Sequence, residues 1–189
     1  MLVLLLVLTL FSGTTFAADP VQPPEEDFTW SDNGDGTTVT ITDYKGTATN
    51  IIIPDTLDSK SVTVIGEDAF YGKGLMSVVI PDSVTTIGTE AFYYNQLRSV
   101  TIPDSVTTIG RGAFSYNLLT SVTIPDSVTT IDDGAFAHNQ LTSVVIPSSV
   151  TTIGEWAFED NRLTSVTIPS SVTTIGRGAF SYNLLTSVT

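Results

Sequence analysis

The sequence predicts a right-handed, parallel, β-rich repeat solenoid with short helical or 3-10 turns, capped at its N-terminal end by a β-hairpin. Three observations lead there. The stretch SVTIPDSVTTIGRGAFSYNLLT, 99–120, returns at 165–186 with one change, Asp104 to Ser170. An Ile-Pro pair recurs at Ile80, Ile102, Ile124, Ile146 and Ile168, a constant step of 22 residues. Within each copy the same columns are always apolar, as in Leu97, Val100, Ile102, Val106, Ile109, Ala113 and Phe114. A period of this length marks stacked units, each too small to bury its apolar face without a neighbour.

The chain has 189 residues, 41% of them hydrophobic, so one continuous core can be buried. Formal charge is −13. Such acidity disfavours nucleic acid and anionic membrane surfaces as partners, because both are polyanions. Cysteine is absent, which removes a disulfide framework and any thiolate metal site.

Residues 1–18 read as a secretory signal peptide. An apolar run from Leu2 to Phe11 precedes Thr15-Phe16-Ala17-Ala18, with cleavage after Ala17 or Ala18. The run is too short to span the bilayer, which takes about 20 residues as a helix, so no membrane insertion is expected once the signal is removed. No Lys or Arg precedes it, leaving open a true start farther upstream. Residues 19–27, DPVQPPEED, have the composition of a disordered acidic linker.

Residues 28–50 are assigned to a capping hairpin. Phe28-Thr29-Trp30 and Thr37–Thr42 flank an Asn-Gly/Asp-Gly cluster, a turn signal. Aligned as a calcium loop, the same cluster would put Ser31 first and Thr42 twelfth, where carboxylates are required, so a turn is the better reading. Trp30 is assigned to the packing of the cap.

From Ile51 to Thr189 the chain makes about six rungs, the first longer than 22 residues, and stops three residues into a seventh; a fragment of a longer protein is expected. In each rung Val100 and Ile102 alternate with Ser99 and Thr101, as in a half-buried strand. Proline 103 ends it, having no N–H for the ladder. A second short strand is expected at Val106–Ile109, then a positive φ at Gly110 and its counterpart Asp132, then one helical turn at Ala113-Phe114. Phe92, Phe114, Phe136, Phe158 and Phe180 are expected to stack as a spine. Asn95, Asn117, Asn139, Asn161 and Asn183 are expected to form an inward amide ladder that satisfies backbone groups.

The pattern L-x-x-V-x-I-P-x-S-V-x-x-I-G-x-x-A-F, 97–114, resembles the BspA-type bacterial leucine-rich repeat. The resemblance covers Ile51 to the end, and the 28–43 segment looks like the lead-in such proteins carry. It implies an exported or surface-displayed protein, with adhesion to host proteins or other cells among the roles found in similar proteins.

Catalytic residues are scarce. His138 is the sole histidine, Ser hydroxyls lack a base, and no cofactor or metal site is expected. Asp82, Asp104 and Asp126 share a column and read as turn residues or, stacked about 5 Å apart, as a weak cation site. Asp132, Asp133, Glu155, Glu159 and Asp160 form a separate acidic cluster, with ion pairs expected to Arg111 and Arg177 in the column of Asp133 and Glu155. The preferred function is a monomeric, secreted or cell-surface module that binds an extracellular protein or a glycan. Its face would carry Tyr94, Tyr116, His138, Trp156 and Tyr182 beside Asp132, Asp133 and Glu155, because differences between rungs concentrate there. A structural or ice-binding lattice of threonines and a carboxylate-based glycan hydrolase are the alternatives.

Overall fold

The computed structural model describes residues 19–189; the proposed export signal lies outside them. The chain winds as a parallel β-solenoid. We count rungs as 51–76, 77–98, 99–120, 121–142, 143–164 and 165–186. The continuous sheet uses the second strand of every rung: Lys60–Ile65, Thr86–Ile87, Thr108–Ile109, Thr130–Ile131, Thr152–Ile153 and Thr174–Ile175, in that order and all parallel. Register is strict by column, so Ile65 faces Ile87 and Ile87 faces Ile109. The Thr-Thr-Ile run suits this place. β-branched side chains fit a pleated surface, and every isoleucine from Ile65 to Ile153 is buried.

The first strand of each rung is the weaker ladder. Asn50–Ile52 pairs with Ser77–Val79, and Ser165–Val166 with Ser187–Val188. Between them only single bridges link Thr101, Thr123 and Val145. The proline closing each strand removes the donor that would extend pairing. The Ala-Phe segment gives no regular helix. It makes isolated turns, Ala113 N–H donating to Gly110 O at 3.2 Å, and its amides also ladder between rungs, Phe114 N–H to Ala135 O at 2.9 Å. Among the described residues the one 3-10 helix is Glu25–Asp27.

Gly110 does not take a positive φ. Five of the six residues in its column are glycine, and rungs touch there: a Cβ on Gly110 would lie 2.8 Å from the Gly88 carbonyl carbon and the Thr89 nitrogen. Asp132 occupies the same column, and its Oδ1 accepts the Asp133 N–H at 2.8 Å. The left-handed positions that recur in every rung fall in two other columns, described below.

Composition predicts disorder for residues 19–27; in the structure their backbone is engaged at Val21 and at the 3-10 turn Glu25–Asp27. Val21 pairs with Ile51, donating to Asn50 O at 3.0 Å and accepting from Ile52 N–H at 2.7 Å. A Pro-rich segment is already extended, and the edge of the first rung offers unpaired backbone that such a segment satisfies. Composition reports how little a segment can bury by itself, not what a neighbouring edge will do for it.

The hairpin pairs Phe28–Asp32 antiparallel with Thr38–Tyr44, and the latter continues the sheet beside Lys60–Ile65. Its strands thus lie over the N-terminal end of the stack, and Tyr44 lengthens the phenylalanine spine, 5.6 Å from Phe70. Trp30 is half-buried against the core with Lys60 Nζ 5.7 Å from its ring centre, and Lys60 also pairs with Asp32. Asp35 holds the turn: its carboxylate accepts the N–H groups of Thr37 and Thr38, each at 2.7 Å, and the Thr38 hydroxyl at 2.6 Å. These bonds, led by the Thr38 hydroxyl, hold its pKa well below the ordinary value of 3.8. A depressed folded value contributes stability that is present above the unfolded pKa and lost as pH falls through the folded one. Asp35→Asn is therefore expected to melt below the parent at neutral pH, with the gap closing once pH drops below about 4. Thermal melts across that range check this; a gap of constant size would place the effect elsewhere.

Candidate functional site

Each rung turns back toward the sheet through two left-handed residues four apart, and the sequence fills them unevenly. One column holds Asp68, Glu90, Gly112, Gly134, Trp156 and Gly178; the other holds Gly72, Tyr94, Tyr116, His138, Asp160 and Tyr182. All have φ between 49° and 65°. An L side chain there costs roughly 1–2 kcal/mol through the clash of Cβ with the following carbonyl. Glycine is the conformationally cheap choice, yet four rings and an indole stand at these places.

The turn is held open for them by the asparagine that follows. Asn117 Oδ1 accepts the Leu97 N–H at 3.1 Å, while Nδ2 donates to Phe92 O at 2.9 Å and Phe114 O at 3.2 Å. Asn95, Asn139, Asn161 and Asn183 repeat this arrangement. Beneath it the spine Phe92, Phe114, Phe136, Phe158 and Phe180 stacks at 5.3–5.6 Å between neighbours. The rim is thus built on a rigid base.

On the surface, Tyr71, Tyr93, Tyr116 and His138 form an aromatic ladder, with centroid separations of 5.1, 5.1 and 4.1 Å. It ends on carboxylates: His138 Nδ1 lies 3.0 Å from Asp160 Oδ2, and Nε2 lies 3.9 Å from Glu159 Oε2. The Tyr93 hydroxyl is pushed above its ordinary pKa, first by burial and then by Tyr116, Tyr71 and Glu90, so it stays a donor at neutral pH.

Two hollows flank the Tyr116–His138 stack. The larger, about 470 Å³, lies on the side of Tyr94, Gln96 and Leu118. The smaller, about 260 Å³, runs from Tyr93 and Glu90 to Trp156 and Glu159, with Arg111 and Asp133 on its edge. The structure therefore brings Tyr116, His138, Trp156 and Asp133 around one hollow and Tyr94 to the adjoining one. Asp132, whose Oδ1 accepts the Asp133 N–H, lines neither hollow, and nor do Glu155 and Tyr182. Glu90 joins the site without having been singled out, beside Tyr93, which the sequence offers as one more exposed aromatic of the rungs, and Arg111, expected only as an ion-pair partner. Their signal is a large–small–small–large run down two columns, Glu90, Gly112, Gly134, Trp156 and Tyr93, Ser115, Ala137, Glu159.

The ion pairs expected within the Arg111/Asp133/Glu155/Arg177 column do not form. Arg111 Nη2 sits 3.6 Å from Glu90 Oε1 instead, and Asp133 Oδ1 accepts the Glu155 N–H at 2.7 Å. A carboxylate that satisfies a backbone amide of the next rung is held in line with the stack, away from the arginine.

Residues 63–186 match the family model described as the BspA type leucine-rich repeat region, in six copies. The chain belongs to the BspA-type leucine-rich repeat family. No curated protein sequence matches it significantly. Among solved structures, this BspA-type solenoid is similar to a leucine-rich repeat protein of T. pallidum, with 29% identity over 88% of this chain and 81% of that one, TM-score 0.79. It is also similar to a leucine-rich cell surface protein of Faecalibacterium prausnitzii, with 36% identity over 90% of this chain and 55% of that one, TM-score 0.67. A leucine-rich repeat protein of Bacteroides ovatus shares the fold at 24% identity, TM-score 0.68. The chain spans about half the length of these last two, 55% and 53%. Among the described residues no helix is long and apolar enough to cross a membrane.

Proposed function

We propose that this chain is a secreted or cell-surface binding module, and that it binds through the rim bearing Tyr94, Tyr116, His138 and Trp156. One observation carries the reading. Bulky aromatic residues stand at left-handed positions where other rungs of the same chain use glycine: Gly72 in the column of Tyr116, and Gly112, Gly134 and Gly178 in that of Trp156. The fold is satisfied by glycine there, so the rings are kept for what they present outward. Strain retained at an exposed place is a mark of function. Trp156 and Tyr116 are each 41% exposed and Tyr94 64%, large amphipathic anchors of the kind that dominate interfaces. The likeness to a leucine-rich cell surface protein of Faecalibacterium prausnitzii supports the location.

Binding is preferred to catalysis. His138 is engaged by the Tyr116 ring and the Asp160 carboxylate, and Asp132 is tied to a backbone amide. The threonine face is less suited to ordering ice, since the hydroxyls of Thr85, Thr107, Thr151 and Thr173 donate to carbonyls of the preceding rung at 3.2–3.3 Å.

The test is capture from an extracellular-matrix extract by residues 19–189. The double variant Trp156→Gly with Tyr116→Gly keeps residues that other rungs tolerate in the same columns, so it should fold. It is expected to capture at least about tenfold less, a change of ~1.4 kcal/mol or more. Undiminished capture, with loss instead on altering Thr101 and Thr123, would move the site to the strand face.

A further inference from the structure

We infer that the smaller hollow is a receptor for an arginine side chain of a protein partner. The inference rests on the binding face proposed above and names what that face takes.

The hollow is set by residue size. Along the stack, Tyr93 and Glu90 close it in the second rung and Trp156 and Glu159 in the fifth. The two rungs between carry Gly112 with Ser115 and Gly134 with Ala137, and nothing would lie within 4 Å of a Cβ on Gly134. Rungs in such a stack lie about 4.8 Å apart, so the gap is long enough for one extended side chain. The Tyr116–His138 stack forms a wall on one side, and Arg111 with Asp133 forms the other edge.

Charge selects the occupant. Three carboxylates, Glu90, Asp133 and Glu159, border the hollow against one guanidinium, and that one is already turned to Glu90 at 3.6 Å. Among the described residues no Lys or Arg pairs with Asp133 or Glu159; Asp133 accepts the Glu155 N–H through Oδ1, which leaves Oδ2, and His138 Nε2 lies 3.9 Å from Glu159 Oε2. An anionic ligand would meet this surplus unfavourably, and the whole chain, at −13, attracts cations. Trp156 adds to this, because a cation gains from the π-face of an indole, and this ring lines the hollow without stacking on another, whereas Tyr93 and Tyr116 spend their faces on the ladder. Between the two cationic side chains the shape favours arginine. Its planar guanidinium stacks on rings while its fork donates to two carboxylates at once, and lysine's compact ammonium cannot do both.

The experiment is calorimetric titration of residues 19–189 at low ionic strength with a short, end-blocked peptide bearing two arginines. The same peptide with citrulline, which keeps the shape and loses the charge, is the control, and a β-1,4-linked N-acetylglucosamine trimer is the third ligand. The arginine peptide is expected to bind at least about tenfold more tightly than the citrulline peptide, and to lose that advantage in Asp133→Arg and in Glu159→Ser. Both substitutions install a residue that other rungs carry in the same column, Arg111 and Ser115; because Asp133→Arg also gives up the acceptor of the Glu155 N–H, its melting temperature is recorded beside the titration, and Glu159→Ser is the deciding variant. Equal affinity for the two peptides, no binding of the arginine peptide, or binding indifferent to both substitutions would overturn the inference. Tighter binding of the sugar trimer, lost in Trp156→Gly, would make the hollow a glycan site instead. The matrix-capture assay separates the two levels. Capture lost in the double variant without any arginine preference sinks this inference and leaves the face; capture retained sinks both.

Discussion

Phe136→Ala is expected to cost about 3–5 kcal/mol, the range for truncating a fully buried phenylalanine in a core that cannot collapse. Phe136 is 0% exposed and lies 5.6 Å from both Phe114 and Phe158, nearly parallel to each. Neither neighbour can move in, because the rungs are spaced by backbone bonds such as Phe114 N–H to Ala135 O and Phe136 N–H to Ala157 O. The melting temperature should drop by roughly 6–20 °C for a domain of this size. Because rungs couple only to neighbours, cutting the stack at its middle should also split the melt into two steps. Phe180, only half-buried in the last complete rung, provides the comparison: Phe180→Ala should cost less and leave a single transition. Equal losses at the two positions would mean that the spine does not carry the stack.

Asn139→Ala should be nearly as damaging, about 2–4 kcal/mol, although it deletes few atoms. The amide is 8% exposed and serves four backbone groups. Its Oδ1 accepts the Leu119 N–H at 3.0 Å, and its Nδ2 donates to Phe114 O, Phe136 O and Ala137 O at 2.9–3.2 Å. Alanine strands the Leu119 amide in the interior, where an unpaired donor costs its full desolvation. Asn139→Asp is the discriminating variant. It keeps an acceptor for Leu119 but faces three carbonyl oxygens with a carboxylate that cannot donate. Its stability should therefore rise as the solution is acidified and the carboxyl becomes protonated, opposite in direction to the Asp35 effect. Denaturant titrations of both variants at neutral and mildly acidic pH decide the matter. An aspartate variant as stable as the parent at neutral pH would show that the ladder needs only an acceptor.

Both effects depend on columns that can be read from the repeat. A period of 22 residues places Phe114 above Phe136 and Asn117 above Asn139, whatever path the chain takes between them. The in-register stack follows because no other register buries every rung at once. Hence the spine, the amide ladder, the buried isoleucines and the exposed aromatic column were legible in one dimension. The Asp-Gly turn was legible too, since its chemistry is local.

What lies across columns was decided only in three dimensions. The sign of φ belongs to the geometry that closes each turn, and it fell on Gly112 and Tyr116, not on Gly110, whose lack of a Cβ answers the approach of the neighbouring rung. Val21 became a strand partner because an edge at Ile51 was free, which no property of residues 19–27 announces. Arg111 turned to Glu90 in the adjacent column once Asp133 was held by the Glu155 amide. The smaller hollow likewise exists between columns, where Tyr93, Trp156 and the Tyr116–His138 stack converge. The amino-acid sequence by itself determined what is stacked on what, because translation along the axis is fixed by the period. The tertiary structure decided what stands beside what, because lateral neighbours depend on how tightly each rung is closed and on where each side chain can then point.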